Sequence, residues 1–123
     1  MLISIDFNSD EAFYVQLRNQ IIMGIATSEI RDGESLPSVR ELADSVGINM
    51  HTVNKAYATL RQEGYLKLDR RRGAVVSVDV NRQRAVDELR ASLREAVARA
   101  VCRNVPAQEI RSILNEVVEE FHD

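Results

Sequence analysis

The chain has 123 residues, 45% of them hydrophobic and 28% charged, a balance that suits one ordinary domain, or a small domain with an appendage, and argues against disorder. No apolar run approaches the roughly 18 residues that a membrane-crossing helix needs, and MLISIDFNSDEAF has no basic leader ahead of an apolar core, so neither a transmembrane helix nor a secretory signal is expected. The formal net charge of −3 weighs against a nucleic-acid binder unless the positive charges are clustered.

Ile3, Ile5 and Phe7 alternate with polar residues, which predicts a short extended lead-in. Asp10 or Ser9 is placed to cap a first helix reaching about Ser28. Its Phe13, Tyr14, Leu17, Ile21 and Ile25 recur at three and four residues and need a core to bury them. Arg31-Asp32-Gly33-Glu34 reads as a turn, and Pro37 holds the approach to Ser38 extended. Ser38 and Glu41, three residues apart, form a capping box in which each side chain satisfies the other's exposed backbone donor. Val39, Leu42, Ala43 and Val46 then share one helical face. Gly47 stops that helix, because a left-handed residue costs least without a Cβ. Asn49 is a good cap for a second short helix, whose Val53, Ala56, Tyr57 and Leu60 share a face, and Gly64 ends it. Two short helices joined by a glycine-bearing turn match the helix-turn-helix, whose second helix can lie in the major groove of DNA.

After Gly64 the period changes. Tyr65-Leu66-Lys67-Leu68-Asp69 alternates, Arg70-Arg71-Arg72-Gly73 follows, and Ala74-Val75-Val76-Ser77-Val78 is again β-rich, which predicts a hairpin with a basic link. The positive charges gather here. Lys55, Arg61, Lys67, Arg70, Arg71 and Arg72 stand against only Glu63 and Asp69, a local excess of four. A nucleic-acid footprint depends on such clustering rather than on the sum.

The stretch LPSVRELADSVGINMHTVNKAYATLRQEGYL, Leu36 to Leu66, resembles the winged-helix DNA-binding domain of the GntR family of bacterial repressors. Its L-P-S-x-R-E-L-A, Gly-Ile-Asn turn and T-V-x-x-A-Y-x-x-L-x-x-x-G are most similar to the short YtrA-like branch. The likeness extends more loosely over residues 10 to 78. It implies that Arg40 faces the groove and reaches guanine or phosphate, a task suited to the planar fork of a guanidinium. An ion pair with Asp44 is the plainer reading of the same residue. The hairpin would be the wing, with Arg70, Arg71, Arg72 and Gly73 at the minor groove or its phosphates. Arg71 stands where the family usually has a second glycine, which predicts a less tightly turned tip.

The polar rim of the second helix points the same way. Asn49, His51, Thr52, Asn54 and Lys55 are short or hydrogen-bonding, whereas a merely solvated face would favour Glu, Lys and Gln. His51 and Asn54 suit base edges, Thr52 a phosphate, and Met50 a thymine methyl; Tyr57 belongs to the core stripe. With Ser38 and Arg40 these residues complete the expected DNA-facing set.

Residues 79 to 123 have another character. Val86, Leu89, Leu93, Val97 and Val101 trace a stripe along a helix free of glycine and proline. Asn104 can take a left-handed stop, and Pro106 suits the first turn of a further helix. Ile110, Ile113, Leu114, Val117, Val118 and Phe121 make a second stripe. The stripes could pack on the winged domain of the same chain or against a second copy; two helices alone form a thin core, which favours the second copy. Leu89, Leu93, Val97, Ile113, Leu114, Val117 and Phe121 would lie at the centre of a homodimer built mainly by residues 82 to 122. Cys102 cannot form an internal disulfide, which suits a reducing cytoplasm.

No serine elbow, P-loop or dinucleotide turn is present. His51 and His122 lack ligand-spaced neighbours. Neither enzymatic activity, metal nor cofactor is therefore expected, and a chain of this length is expected to hold no aminotransferase-like or large effector-binding domain of the kind some GntR relatives carry. A small-molecule effector is left open by the resemblance, with the seam between two copies as one place for it. The expectation is a mainly α protein with a small β-hairpin: a winged helix-turn-helix over residues 1–78, then a helical dimerisation hairpin over 79–123. Its function would be that of a cytoplasmic, double-stranded-DNA-binding transcription regulator, a dimeric repressor at a palindromic operator. The alternative is a protein-interaction adaptor on the same fold.

Overall fold

The computed structural model describes residues 3–121 and divides into two compact units, Met1–Asp79 and Val80–Asp123. The first contains α1 (Phe13–Ala26), α2 (Val39–Val46), α3 (Met50–Gln62), β1 (Leu66–Asp69) and β2 (Gly73–Val76). The second contains α4 (Arg82–Cys102) and α5 (Ala107–Glu119).

The core of the first unit is where the apolar stripes meet. Leu17 and Ile21 of α1, Leu42 and Ala43 of α2, and Val53, Ala56 and Leu60 of α3 are buried together with Leu66 and Val76 of the hairpin. Full burial of a Leu or Ile side chain contributes about 1.5–3 kcal/mol, so this cluster fixes how α3 is held. The two glycine stops work as expected, with Gly47 at φ 80° and Gly64 at φ 89°. Ser38 and Glu41 form both halves of the capping box at 3.1 Å each. The backbone bond that Glu41 receives at Ser38 holds its carboxyl below the ordinary range.

Several expectations are corrected. The first helix is capped by neither Asp10 nor Ser9: it starts after Ala12, which offers no side-chain cap, and stops at Ala26. Ser9 Oγ instead accepts the Glu11 N–H in a local turn, a competition to which short hydroxyl side chains are prone. The lead-in forms no strand, and a turn begins at Phe7; two glutamines of α1 hold it. Gln16 bonds both backbone groups of Asp6, and Gln20 both those of Ser4. Phe7 does not continue the buried alternation; it is 57% exposed and meets Phe13 edge-on.

A third segment joins the hairpin. Ser35 bridges to Val75, and bonds from Leu36 N to Ala74 O and from Val76 N to Glu34 O tie the segment before α2 to β2. The middle position of β2 explains why Val75 and Val76 are fully buried. The tip of the hairpin is tight rather than loose. Asp69 pairs with Gly73 across three residues, and Gly73 takes φ 73°. Asp69 Oδ1 accepts from the Arg71 and Arg72 amides at 2.8 and 3.1 Å, so a carboxylate closes the turn without a second glycine.

In the second unit Asn81 caps α4, and Asn104 takes the left-handed stop at φ 63°. Pro106 sits at the cap of α5, one position before its first turn. No described side chain of α4 or α5 is buried. His122, named above as a poor metal ligand, lies outside the described residues.

Candidate nucleic-acid interface

The first turns of α3 stand on a helix whose opposite side is anchored. Val53, Ala56 and Leu60 are completely buried, and Tyr57 is nearly so, its hydroxyl donating to Pro37 O at 2.7 Å. Burial, then the charge of Glu41, raises the Tyr57 hydroxyl well above its ordinary pKa, so it remains a donor at every physiological pH. Arg18 clamps the other end of α3, giving Glu63 two hydrogen bonds of 2.6 and 3.0 Å. The polar rim is therefore presented by a helix held at both ends.

Asn49, Met50, His51, Asn54 and Lys55 are exposed and Thr52 is half-buried. Asn49 Oδ1 accepts the His51 amide at 2.7 Å, which caps α3 and turns the loop. Three shallow depressions border this turn. Asn49, Met50, His51 and Asn54 share one with Val39. His51, Thr52 and Lys55 share the second with Phe13 and Tyr14 of α1. Asn54 lines the third, with Ser38 at the start of α2 and Gly73 at the tip of the hairpin. Eight of the expected residues, Gly73 among them, thus fall on one continuous border.

Arg40 is exposed on α2 and, among the described residues, forms no ion pair with Asp44. Arg70, Arg71 and Arg72 lie at the hairpin tip but are not equivalent. Arg72 donates Nη1 to Gly33 O at 3.1 Å and approaches Asp69 at 3.9 Å, whereas the side chains of Arg70 and Arg71 are exposed without such ties among the described residues. Lys55 is also engaged: its Nζ lies 4.1 Å from the centre of the Tyr14 ring.

Arg61 and Lys67, members of the basic cluster in the sequence, line the third depression, and Tyr14 lines the second. Arg61 stands seven residues beyond Asn54 on the same face of α3. Tyr14 was not legible as part of this border, because its place depends on packing between α1 and α3. Among the described residues no group of three His, Cys, Asp or Glu could hold a metal, and no helix is long and apolar enough to cross a membrane.

In the second unit Leu93 is half-buried, and Leu89, Val97, Ile113, Leu114, Val117 and Phe121 are exposed. Val101 and Val118, members of the same two stripes, are exposed with them. Leu93, Val97, Ile113, Leu114 and Val117 contribute to a wholly apolar groove of about 330 Å³ between α4 and α5. Cys102 is exposed.

The model of the bacterial regulatory proteins of the gntR family matches residues 13–76. The HTH-type transcriptional repressor YtrA of Bacillus subtilis is 38% identical over 76 residues, which are 62% of this chain and 58% of that protein. Among solved structures, YtrA from Sulfolobus acidocaldarius, a GntR-family transcription factor, is 40% identical, with a TM-score of 0.61 over 98% of this chain and all of that one. The DNA-binding domain of AraR in complex with operator ORX1 is 25% identical, with a TM-score of 0.53 over 62% of this chain and 96% of that domain.

Proposed function

Since the chain belongs to the gntR family of bacterial regulatory proteins, whose members are transcription regulators and not enzymes, we propose that it represses transcription as a homodimer on a palindromic operator in the cytoplasm. The observation that carries this reading is the polar rim of α3. Asn49, Met50, His51, Thr52 and Asn54 project from a helix locked into the core on its other side. Side chains of these types read base edges and phosphates. His51 and Asn54 take base edges, Met50 a thymine methyl and Thr52 a phosphate, while Arg40 reaches guanine or phosphate from α2. Arg70 and Arg71 bind phosphates or the minor groove from the wing.

Residues 1–78 form the DNA-binding domain in this reading, and residues 79–123 pair two copies. The apolar side chains left open on α4 and α5 support the pairing, because two helices with no buried side chain lack a core of their own. Two recognition helices about one duplex turn apart would match two half-sites. A repressor's name on a relative and an operator bound to a structural neighbour support the same mechanism, occupation of the operator against polymerase.

Selecting bound duplexes from a random pool with the full-length protein tests the reading. An inverted repeat with a fixed half-site spacing is expected. Absence of affinity for any duplex at low ionic strength would reject DNA binding, and a single unpaired site would reject the dimer.

A further inference from the structure

Tyr14 is one residue of the interface border that the recognition helix does not supply. It lies in the first turn of α1, half-buried, and its ring carries the Lys55 ammonium at 4.1 Å from the centroid. A lysine at an exposed helix position ordinarily samples many rotamers, and fixing it on a ligand costs entropy. Attraction to the negative face of an aromatic ring removes part of that freedom beforehand. The ammonium touches the ring on one side and keeps donors for an acceptor on the other.

Beside this pair stand His51 and Thr52, lining the same cleft together with Ala12 and Phe13. Among the described residues the lining contains no carboxylate. A cleft with a held ammonium, a hydroxyl and an imidazole, and no negative charge, has the chemistry of a phosphate seat. We propose that Tyr14 is a positioning residue for DNA binding: it holds Lys55 so that Lys55, Thr52 and His51 take one backbone phosphate on the α1 side of α3. This rests on the DNA-binding reading above and adds to it a contact organised from outside the helix-turn-helix.

The test uses the full-length protein and its selected duplex, with affinity measured by fluorescence anisotropy across a salt series. Lys55→Ala is expected to make the slope of log K against log[salt] shallower by about 0.9. Tyr14→Leu is expected to weaken binding about two- to fivefold, the scale of an exposed cation–π contact. Tyr14→Phe, which keeps the ring, should bind like the parent protein. In the Lys55→Ala background Tyr14→Leu should have no further effect. Lys55 and Lys67 are the two lysines of the chain, so the Lys55 ε-methylene signal, shifted upfield by the ring, can be followed by NMR and should move back in Tyr14→Leu. Tyr14→Met serves in the same role should Leu disturb the fold. Equal losses from Tyr14→Leu with and without Lys55, an unchanged slope in Lys55→Ala, or an unshifted Lys55 signal in the parent protein would each overturn the proposal. If the parent protein bound no duplex at all, the functional reading would fall first, so the two failures are separable.

Discussion

Arg70, Arg71 and Arg72 are adjacent and chemically identical, yet the fold gives them different work. Arg72 is tied to Gly33 O and to Asp69, and so braces the hairpin against the segment before α2. Arg70 and Arg71 are left to reach outward. If each neutralises a phosphate, Arg70→Ala with Arg71→Ala should make the salt slope shallower by about 1.8, whereas Arg72→Ala should change it little. Equal slope changes at all three positions, in the same anisotropy series, would contradict this division. Asp69 supplies a second test at this scale. The Arg71 and Arg72 amides, then the charges of Arg72 and Lys67, hold its carboxyl below the ordinary aspartate range. A lowered pKa in the folded state means that its contribution is present above the unfolded pKa and lost as pH falls through the folded value. The turn should therefore loosen on the acid side of about pH 4. The Arg71 and Arg72 amide signals in NMR should report it, and Asp69→Asn, which keeps the acceptor oxygen, should abolish that pH dependence.

In the first unit α2, α3 and the hairpin are delimited by local devices and then held by distant contacts. The end of α1 shows how the two combine. Ile30 N bonds Gly24 O at 3.0 Å, and a Cβ on Gly24 would stand 2.7 Å from Ile30 Cδ1. Alanine at a helical position is favoured over glycine by about 1 kcal/mol, but overpacking a filled core costs about 1–3 kcal/mol. Ile30 is only 2% exposed and has little room to move. Gly24→Ala should accordingly lower the melting temperature, and adding Ile30→Val should recover part of the loss. A stabilised Gly24→Ala would show that Ile30 yields freely. The same logic makes Leu60 of α3 a structural residue: Leu60→Ala should cost about 2–5 kcal/mol in chemical denaturation, and any effect on DNA affinity would follow from α3 losing its support.

For the whole molecule the contrast between the units is decisive. The first has a filled core in which Leu17, Ile21, Val53, Leu60 and Val75 are completely buried, while the second buries no described side chain of either helix. Leu89 is 58% exposed, a state that a second copy would relieve. Leu114→Asp with Val117→Asp places charges in the apolar groove and should convert a dimer to monomers in sedimentation. Operator affinity should drop with it, since two half-sites are then no longer held together. A dimer that survived both changes would move the interface elsewhere.

The helix-turn-helix could be read from residues because its signals are short-range. Ser38 with Glu41, Gly47, Asn49 and the stripe from Val53 to Leu60 each act within a few positions, and the structure uses all of them. The stripes of α4 and α5 were equally legible, and so was the left-handed stop at Asn104. What stayed hidden joins parts of the chain that only folding brings together. Ser35 has no strand character until Val75 lies beside it, Asp69 looks like a loop charge until it closes the tip, and Arg72 resembles its neighbours until Gly33 comes within reach. Tyr14 reads as one more apolar position of α1 until α3 sets Lys55 over its ring. Local propensity and periodicity therefore determined which elements form and which faces are apolar. Tertiary packing decided which polar side chains are committed to the protein and which are left for a ligand, because that depends on partners distant in the chain.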